Sequence, residues 1–153
     1  MKLKDIIRCI GINPHYVNSE YQREQLKRLN GGRDLCTGGI ANAYIYIPYS
    51  KELEKVLSNK EMYPFDSRCS VHGGITYGGK ADGISKYHCP YSGVISNDKY
   101  DAKYIVVGWD TNHYNDTPDS WTYQSIIAEN EKLARQILDI INKELNKLDK
   151  KQS

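Results

Sequence analysis

The strongest constraint on the fold is an apolar stripe near the C-terminus of the chain. Ser120 or Thr122 can cap a helix that runs to about Lys147. Within that span the apolar residues recur at helical spacing on one face: Ile126, Leu133, Ile137, Ile141, Leu145 and Leu148, with Ile127, Ala134 and Leu138 widening the stripe. A helix with one apolar face must bury it, so it either covers a sheet or pairs with a second copy of the chain in a homo-oligomer.

Three segments upstream of this helix have the composition of strands. Residues 68–77 hold glycines in their middle, which mark a bulge or a close backbone approach. Residues 104–109 have an Ile-Val-Val centre, which predicts burial on both faces of the strand. Residues 40–47, closed by Pro48, alternate between two faces, one with Ala43, Ile45 and Ile47 and the other with Tyr44 and Tyr46.

Shorter elements complete the predicted architecture. Residues 3–12 can form a short strand or helix, while residues 19–29 and 50–58 have the caps and spacing of short helices. The glycine-rich residues 31–39 are predicted to be a loop, and the polar residues 78–99 a long loop or a loose hairpin over the site. We therefore predict an α+β fold in a single domain over residues 1–153. It would have a mostly antiparallel sheet of about three to five strands, packed by the long C-terminal helix and one or two short ones.

Composition narrows the functional classes. The length of 153 residues is that of one domain, and a net charge of +2 does not favour binding to nucleic acid. No apolar run approaches a membrane span, and residues 1–12 lack the pattern of a signal peptide. We therefore expect a cytoplasmic protein with no membrane partner, in which the four cysteines stay reduced.

The first segment with residues suited to binding or chemistry is 70–77, Ser-Val-His-Gly-Gly-Ile-Thr-Tyr. His72 is the only side chain in it that titrates near neutrality. Gly73 and Gly74 have no Cβ, so a ligand can approach the backbone and their N–H groups can face an anion. A bulged strand with a hydrogen-bonded histidine would explain the same residues without a function.

The second segment is 108–113, Gly-Trp-Asp-Thr-Asn-His, at the exit of the apolar strand. Polar side chains at such an exit are typical of a pocket rim. Asp110 could orient His72 or His113, as carboxylates do in acid–base pairs, or accept from a ribose hydroxyl or a base amino group. The alternative is an Asx-type turn into the helix, and residues 115–118 have the composition of an ordinary helix-entry loop.

Residue types that bind metals are also present in the chain. The side chains to consider are His72, His88, His113, Cys69, Cys89 and Asp110. None of them falls in a compact ligand spacing. We therefore predict no metal site and no cofactor.

The two segments, in this order and followed by a C-terminal helix, resemble a group of small phage and prophage proteins. In that group the first segment commonly reads Val-His-Gly-Gly-Leu-Thr-Tyr and the second Gly-Phe-Asp-(Cys or Thr)-Ala-His. The resemblance covers roughly residues 40–140 and is looser over residues 43–48. Trp109 stands in place of the usual Phe, Asn112 replaces a small residue, and residues 82–100 are an insertion.

The resemblance implies a counter-defence role in an infected bacterial host, for which one strategy is to bind and sequester a nucleotide signal. The residues it carries to the site are His72, Gly73, Gly74, Thr76 and Tyr77 from the first segment, and Trp109, Asp110 and His113 from the second.

Three hypotheses about function follow. The first is a binding protein for a cyclic nucleotide or an ADP-ribose derivative, in which aromatic rings stack on a base and His72 with the glycine amides meets the phosphates. The second is a metal-independent phosphodiesterase or hydrolase that uses His72 and His113, with Asp110 as the orienting carboxylate. The third is an inhibitor that binds a host defence protein through a tyrosine-rich surface.

Overall fold

In a computed structural model the described residues are 1–12, 41–57, 63–80, 104–113, 115–117 and 119–152. They form an α+β fold, as predicted: an open antiparallel sheet, a short helix and a long C-terminal helix. The strands are β1 (Ile7–Ile12), β2 (Ala41–Pro48), β3 (Tyr77–Lys80) and β4 (Tyr104–Trp109), and the helices are α1 (Lys51–Val56) and α2 (Tyr123–Gln152), with a 3₁₀ turn at Leu3–Asp5.

The strand order β1-β2-β4-β3 determines where the two polar segments lie. Strand β4 is antiparallel to both of its neighbours, with Tyr77 opposite Gly108 and Ala43 opposite Trp109. The end of β4 is therefore beside the start of β3. The first polar segment leads into β3 and the second follows β4. Both therefore lie at the same end of these two strands, which is the edge of the sheet that carries the site.

The two faces of the sheet have different surroundings. One face packs against α2 and builds the main core, whose buried members include Ala43, Ile45, Ile47, Ile105, Val107, Trp109, Ile126, Leu133, Ile137 and Ile141. The opposite face carries a smaller cluster of Cys9, Tyr44, Tyr46 and Val106, which we call the tyrosine face. The predicted alternation along β2 and the burial of both sides of β4 are thus confirmed.

The predicted helices that fall on described residues are also confirmed. Thr122 caps α2, because its Oγ1 accepts a hydrogen bond from the Ser125 amide at 3.2 Å. The helix extends to Gln152, five residues beyond the predicted end at Lys147. Ser50 caps α1 in the same way, accepting from the Leu53 amide at 3.0 Å. None of the described helices combines the length and apolar character that crossing a membrane requires.

The prediction of a strand over residues 68–77 is wrong. Gly73 and Gly74 adopt φ angles of 68° and 81°, and the Gly74 amide donates to the Val71 carbonyl at 2.9 Å, so the chain turns there instead of extending. The strand begins only at Tyr77 and continues to Lys80, so residues 78–80 are strand. Residues 3–12 divide into the 3₁₀ turn and β1, and the elements predicted at 19–29, 31–39 and 81–99 lie outside the described residues.

Candidate functional site

Two histidines, one from each polar segment, meet on one carboxylate at the edge of the sheet. The Nε2 atom of His72 lies 2.9 Å from Oδ1 of Asp116, and Nδ1 of His113 lies 2.9 Å from Oδ2 of the same residue. The centroids of the two rings are 5.1 Å apart, with the ring planes perpendicular. We call His72, His113 and Asp116 the His–Asp–His cluster.

Asp116 is held in place by its own loop. Asn115 adopts a φ of 75°, a conformation that asparagine tolerates better than most residues, and the loop turns there. The Asp116 amide donates to the His113 carbonyl at 2.9 Å, and the His113 amide donates to Oδ2 of Asp116 at 2.9 Å. These reciprocal bonds aim the carboxylate at the two imidazoles.

The exposure of the cluster suits a site. The Asp116 side chain is only 5% exposed, whereas the side chains of His72 and His113 are 27% and 34% exposed. Burial by itself raises the pKa of the Asp116 carboxyl. Hydrogen bonds from His72 and from the backbone and ring of His113 outweigh that effect, so the pKa lies below its ordinary value.

The ionised carboxylate assigns the ring protons. Because it can only accept hydrogen bonds, Nε2 of His72 and Nδ1 of His113 each carry a hydrogen in the metal-free cluster. The second nitrogen of each neutral ring then carries a lone pair. For His113 this is Nε2, which lies 3.5 Å from Oδ1 of Asp110.

His72 is fixed by helix α2 and two indole rings. Its amide donates to Oε1 of Glu129 at 3.1 Å, and its ring lies 4.2 Å from the ring of Trp121, centroid to centroid. Trp109 is 6.4 Å from His72 by the same measure and is only 1% exposed. The indole N–H of Trp109 donates to the buried Asn130, so the Trp109 ring is a wall of the core and not an exposed stacking surface.

Gly73 makes the meeting of the two segments possible. A Cβ built on Gly73 would overlap the imidazole of His113, whereas a Cβ on Gly74 would meet nothing within 4 Å. Glycine is therefore required at position 73 for two reasons: the backbone has a positive φ, and the His113 ring passes too close to leave room for a Cβ. The Gly74 amide is used in the turn to Val71, so it is not aimed at an anion as its motif predicted.

A concavity of about 230 Å³ lies on the tyrosine face and approaches the cluster at Asp110. Its lining residues are Asn42, Tyr44, Thr76, Tyr77, Trp109 and Asp110. Tyr44 and Tyr77 contact each other edge to face, with centroids 5.8 Å apart. Asp110 belongs to this lining and also approaches His113, so it links the concavity to the cluster.

The predicted site residues thus divide into two groups. His72, Gly73 and His113 meet at the cluster, whereas Thr76, Tyr77 and Trp109 line the concavity. Asp110 lies between them and accepts from the Asn112 amide at 3.0 Å, which is the Asx-type turn anticipated as its alternative reading. The residue that orients both histidines is Asp116, which the sequence reasoning had placed in an ordinary loop.

The cluster also has the donor set of a metal site. His72, His113 and Asp116 each offer one ligand atom, and these atoms all lie within 4.8 Å of one another. Sequence spacing alone gave no sign of this set, because its members are 41 and 3 residues apart and only the fold joins them. Of the side chains weighed as ligands from the sequence, Asp110 stands next to the set and not in it.

Comparison of the chain with protein-family models, with curated proteins and with solved structures finds no match.

Proposed function

We propose that this protein binds a small phosphorylated ligand of the nucleotide class at the edge of the sheet, with phosphate at the His–Asp–His cluster and the remainder of the ligand in the concavity. The ligand is a cyclic nucleotide or an ADP-ribose derivative. The observation that carries the proposal is the convergence of two partly exposed imidazoles, with Asp110 joining them to a concavity.

The cluster supports the phosphate part of the proposal. Each ring gives its N–H to Asp116, so a ring can donate to a phosphate oxygen only from its second nitrogen and only in the imidazolium form, whose charge the Asp116 carboxylate balances. The buried carboxylate holds both rings in place before the ligand binds, which lowers the entropy lost on binding. The ligand therefore meets two rings whose positions are already set.

The concavity supports the nucleoside part. Asn42, Thr76 and Asp110 supply amide, hydroxyl and carboxylate groups, which match the donors and acceptors of a ribose or a base edge. The volume of about 230 Å³ lies below the range of about 300–1,000 Å³ usual for pockets that enclose a whole ligand. A nucleotide would fill the concavity with one moiety and reach the cluster, past Asp110, with another.

The biological role we propose is counter-defence. The resemblance of residues 40–140 to small phage proteins supports this role. Withholding a nucleotide signal from the host requires only that the protein binds it, with no catalytic step. In this role the protein acts in the cytoplasm of the infected cell, and slow release of the intact ligand is the property that matters.

A second function, hydrolysis of the same ligand class, is favoured by the orientation of His113. Its Nδ1 lies 2.9 Å from Oδ2 of the buried Asp116, and its Nε2 lies 3.5 Å from Oδ1 of Asp110. A carboxylate that orients one ring nitrogen in this way is typical of a histidine that acts as a general acid or base. His72 would be the second member of the pair: one histidine would accept a proton and the other would donate one. The two functions share one site and differ in the fate of the ligand.

The test is to incubate the protein with a panel of cyclic nucleotides and ADP-ribose derivatives, and to measure melting temperature and calorimetric binding. Bound ligand is then released by heat and analysed by mass spectrometry. Intact ligand indicates capture, and altered ligand indicates hydrolysis. If no member of the panel binds the folded protein, both functions are wrong, and inhibition of a host protein is the hypothesis that remains.

Matched variants locate the binding. Asp110→Asn and His113→Gln should each weaken binding of the ligand by about tenfold or more, since each removes a polar contact at the site. Asp139→Asn makes the same charge change on the exposed side of α2, where Asp139 pairs with Lys143, and should bind as the parent does. Equal binding by all three variants would place the ligand elsewhere on the molecule.

A further inference from the structure

The geometry points to a site for a divalent transition-metal ion, with His72 Nε2, His113 Nδ1 and one carboxylate oxygen of Asp116 as its protein ligands. This inference rests on the cluster alone and does not depend on the nucleotide proposal. It reverses the expectation from the sequence, which found no compact ligand spacing.

The donor set is that of an open metal site. Two imidazoles and one carboxylate hold catalytic zinc and non-haem iron in proteins, and the positions that remain are taken by water or substrate. A divalent ion with one carboxylate and two neutral imidazoles keeps a net positive charge. Such a centre would attract an anionic group such as phosphate.

The distances between ligand atoms suit an ion with bonds of about 2.1 Å. Adjacent ligands of such an ion lie about 3.0 Å apart in octahedral geometry and about 3.4 Å apart in tetrahedral geometry. Oδ2 of Asp116, taken as the ligating oxygen, lies 3.0 Å from His72 Nε2 and 2.9 Å from His113 Nδ1. An ion could therefore replace the two hydrogen bonds with small movements of the rings.

Groups around the cluster match the outer shell of a metal site. A ligating histidine commonly donates its second N–H to a carboxylate, and Asp110 lies 3.5 Å from the second nitrogen of His113. Ligating carboxylates are themselves hydrogen-bonded, and Oδ2 of Asp116 accepts from the His113 amide. The ring of Trp121 beside His72 adds an apolar wall.

Proton balance sets the chemistry of loading. In the metal-free cluster the nitrogens that face Asp116 carry hydrogens, so each neutral ring must move its proton to the other nitrogen before its lone pair can bind the ion. For His113 the relocated N–H then faces Asp110. Partial exposure of both histidines leaves a path for the ion from solvent.

The experiment uses the full chain, first freed of metal by chelator dialysis. Zn²⁺ is titrated calorimetrically, and Co²⁺ is titrated while visible ligand-field absorption is recorded, both without nucleotide. We expect saturation at one ion per chain, with nitrogen and oxygen ligands in the cobalt spectrum. His113→Gln and Asp116→Asn should weaken binding at least about 100-fold, Asp110→Asn about tenfold, and Asp139→Asn should leave it unchanged.

Three results would overturn the inference: no saturable ion, equal affinity in the parent and in His113→Gln, or thiolate-to-cobalt charge-transfer bands that place the ion on cysteine. Circular dichroism confirms that each variant is folded, and the parent's cobalt spectrum decides the ligand type even if Asp116→Asn unfolds. Because the ion is measured without nucleotide, loss of this inference leaves the nucleotide proposal standing, and the reverse also holds.

Discussion

The two histidines of the cluster reach the same carboxylate by different routes. His113 is held locally, because its amide and its ring both bond to Asp116 three residues later. His72 is held by tertiary contacts: its amide bonds to Glu129 on α2 and its ring packs against Trp121. One half of the site therefore forms with its own loop, while the other half forms only when α2 is docked.

The largest effect should come from the residue that both halves share. Asp116→Asn removes the charge that accepts from both rings while keeping the shape of the side chain. We expect a loss of about 2–4 kcal/mol in the free energy of unfolding, because two partly buried hydrogen bonds to a buried charge are weakened together. Urea denaturation measures it, with Asp139→Asn as the matched control. A loss as small as that of the control would show that the cluster contributes nothing to stability.

The next effect separates backbone strain from the contact between the two segments. Gly73→Ala and Gly74→Ala both place a Cβ at positive φ, which costs about 1–2 kcal/mol in each case. Only the Gly73 variant also pushes against the His113 ring, so it should lose about 1–2 kcal/mol more than the Gly74 variant. The difference between the two unfolding free energies is the quantity to measure. Equal losses would mean that His113 does not pass over Gly73.

A smaller effect should fall on one histidine only. Glu129→Gln keeps an acceptor for the His72 amide and removes its charge, so we expect a loss of about 0.5–1 kcal/mol in stability. In nuclear magnetic resonance spectra the ring signals of His72 should shift while those of His113 stay in place. Shifts of similar size in both rings would contradict the separation of the two halves.

The smallest effect concerns acid. The pKa of Asp116 lies below its ordinary value of 3.8 in the native state, so at low pH the unfolded chain takes up this proton first. The stability that the ionised carboxylate confers is complete above that value and is lost as pH falls through the native pKa. The unfolding free energy of Asp116→Asn should therefore fall less steeply than that of the parent as the pH is lowered. Parallel pH dependences in the two proteins would contradict a lowered pKa of Asp116.

The fold could be predicted where side-chain periodicity reports burial directly. The stripe from Ile126 to Leu148 and the alternation along β2 each depend on local spacing, and both elements were correctly predicted. Residues 68–77 were not, because hydrophobic alternation cannot reveal that Gly73 and Gly74 adopt positive φ and turn the chain. That turn replaces most of the predicted strand and aims His72 at the loop after β4.

The site could be predicted only in part. His72 and His113 stood out because imidazoles beside glycines and at a strand exit are chemically conspicuous. Asp116 did not, since aspartate is common in a loop before a helix. Its role depends on a turn at Asn115 and on a tertiary contact with His72, and neither can be read from local sequence. A carboxylate three residues after a candidate histidine was the one available signal, because that spacing lets a loop fold back on itself.

The most direct test of the shared carboxylate is the tautomeric state of the two histidines in metal-free protein, read from long-range ¹⁵N–¹H correlation spectra. We predict a hydrogen on Nε2 of His72 and on Nδ1 of His113, with both assignments lost in Asp116→Asn. The prediction for His113 is the sharper one, because Nδ1–H is the less common tautomer of neutral histidine in water. If both rings instead show the tautomer mixture of free histidine, and Asp116→Asn does not change it, then Asp116 does not accept hydrogen bonds from the two rings and the cluster is wrong.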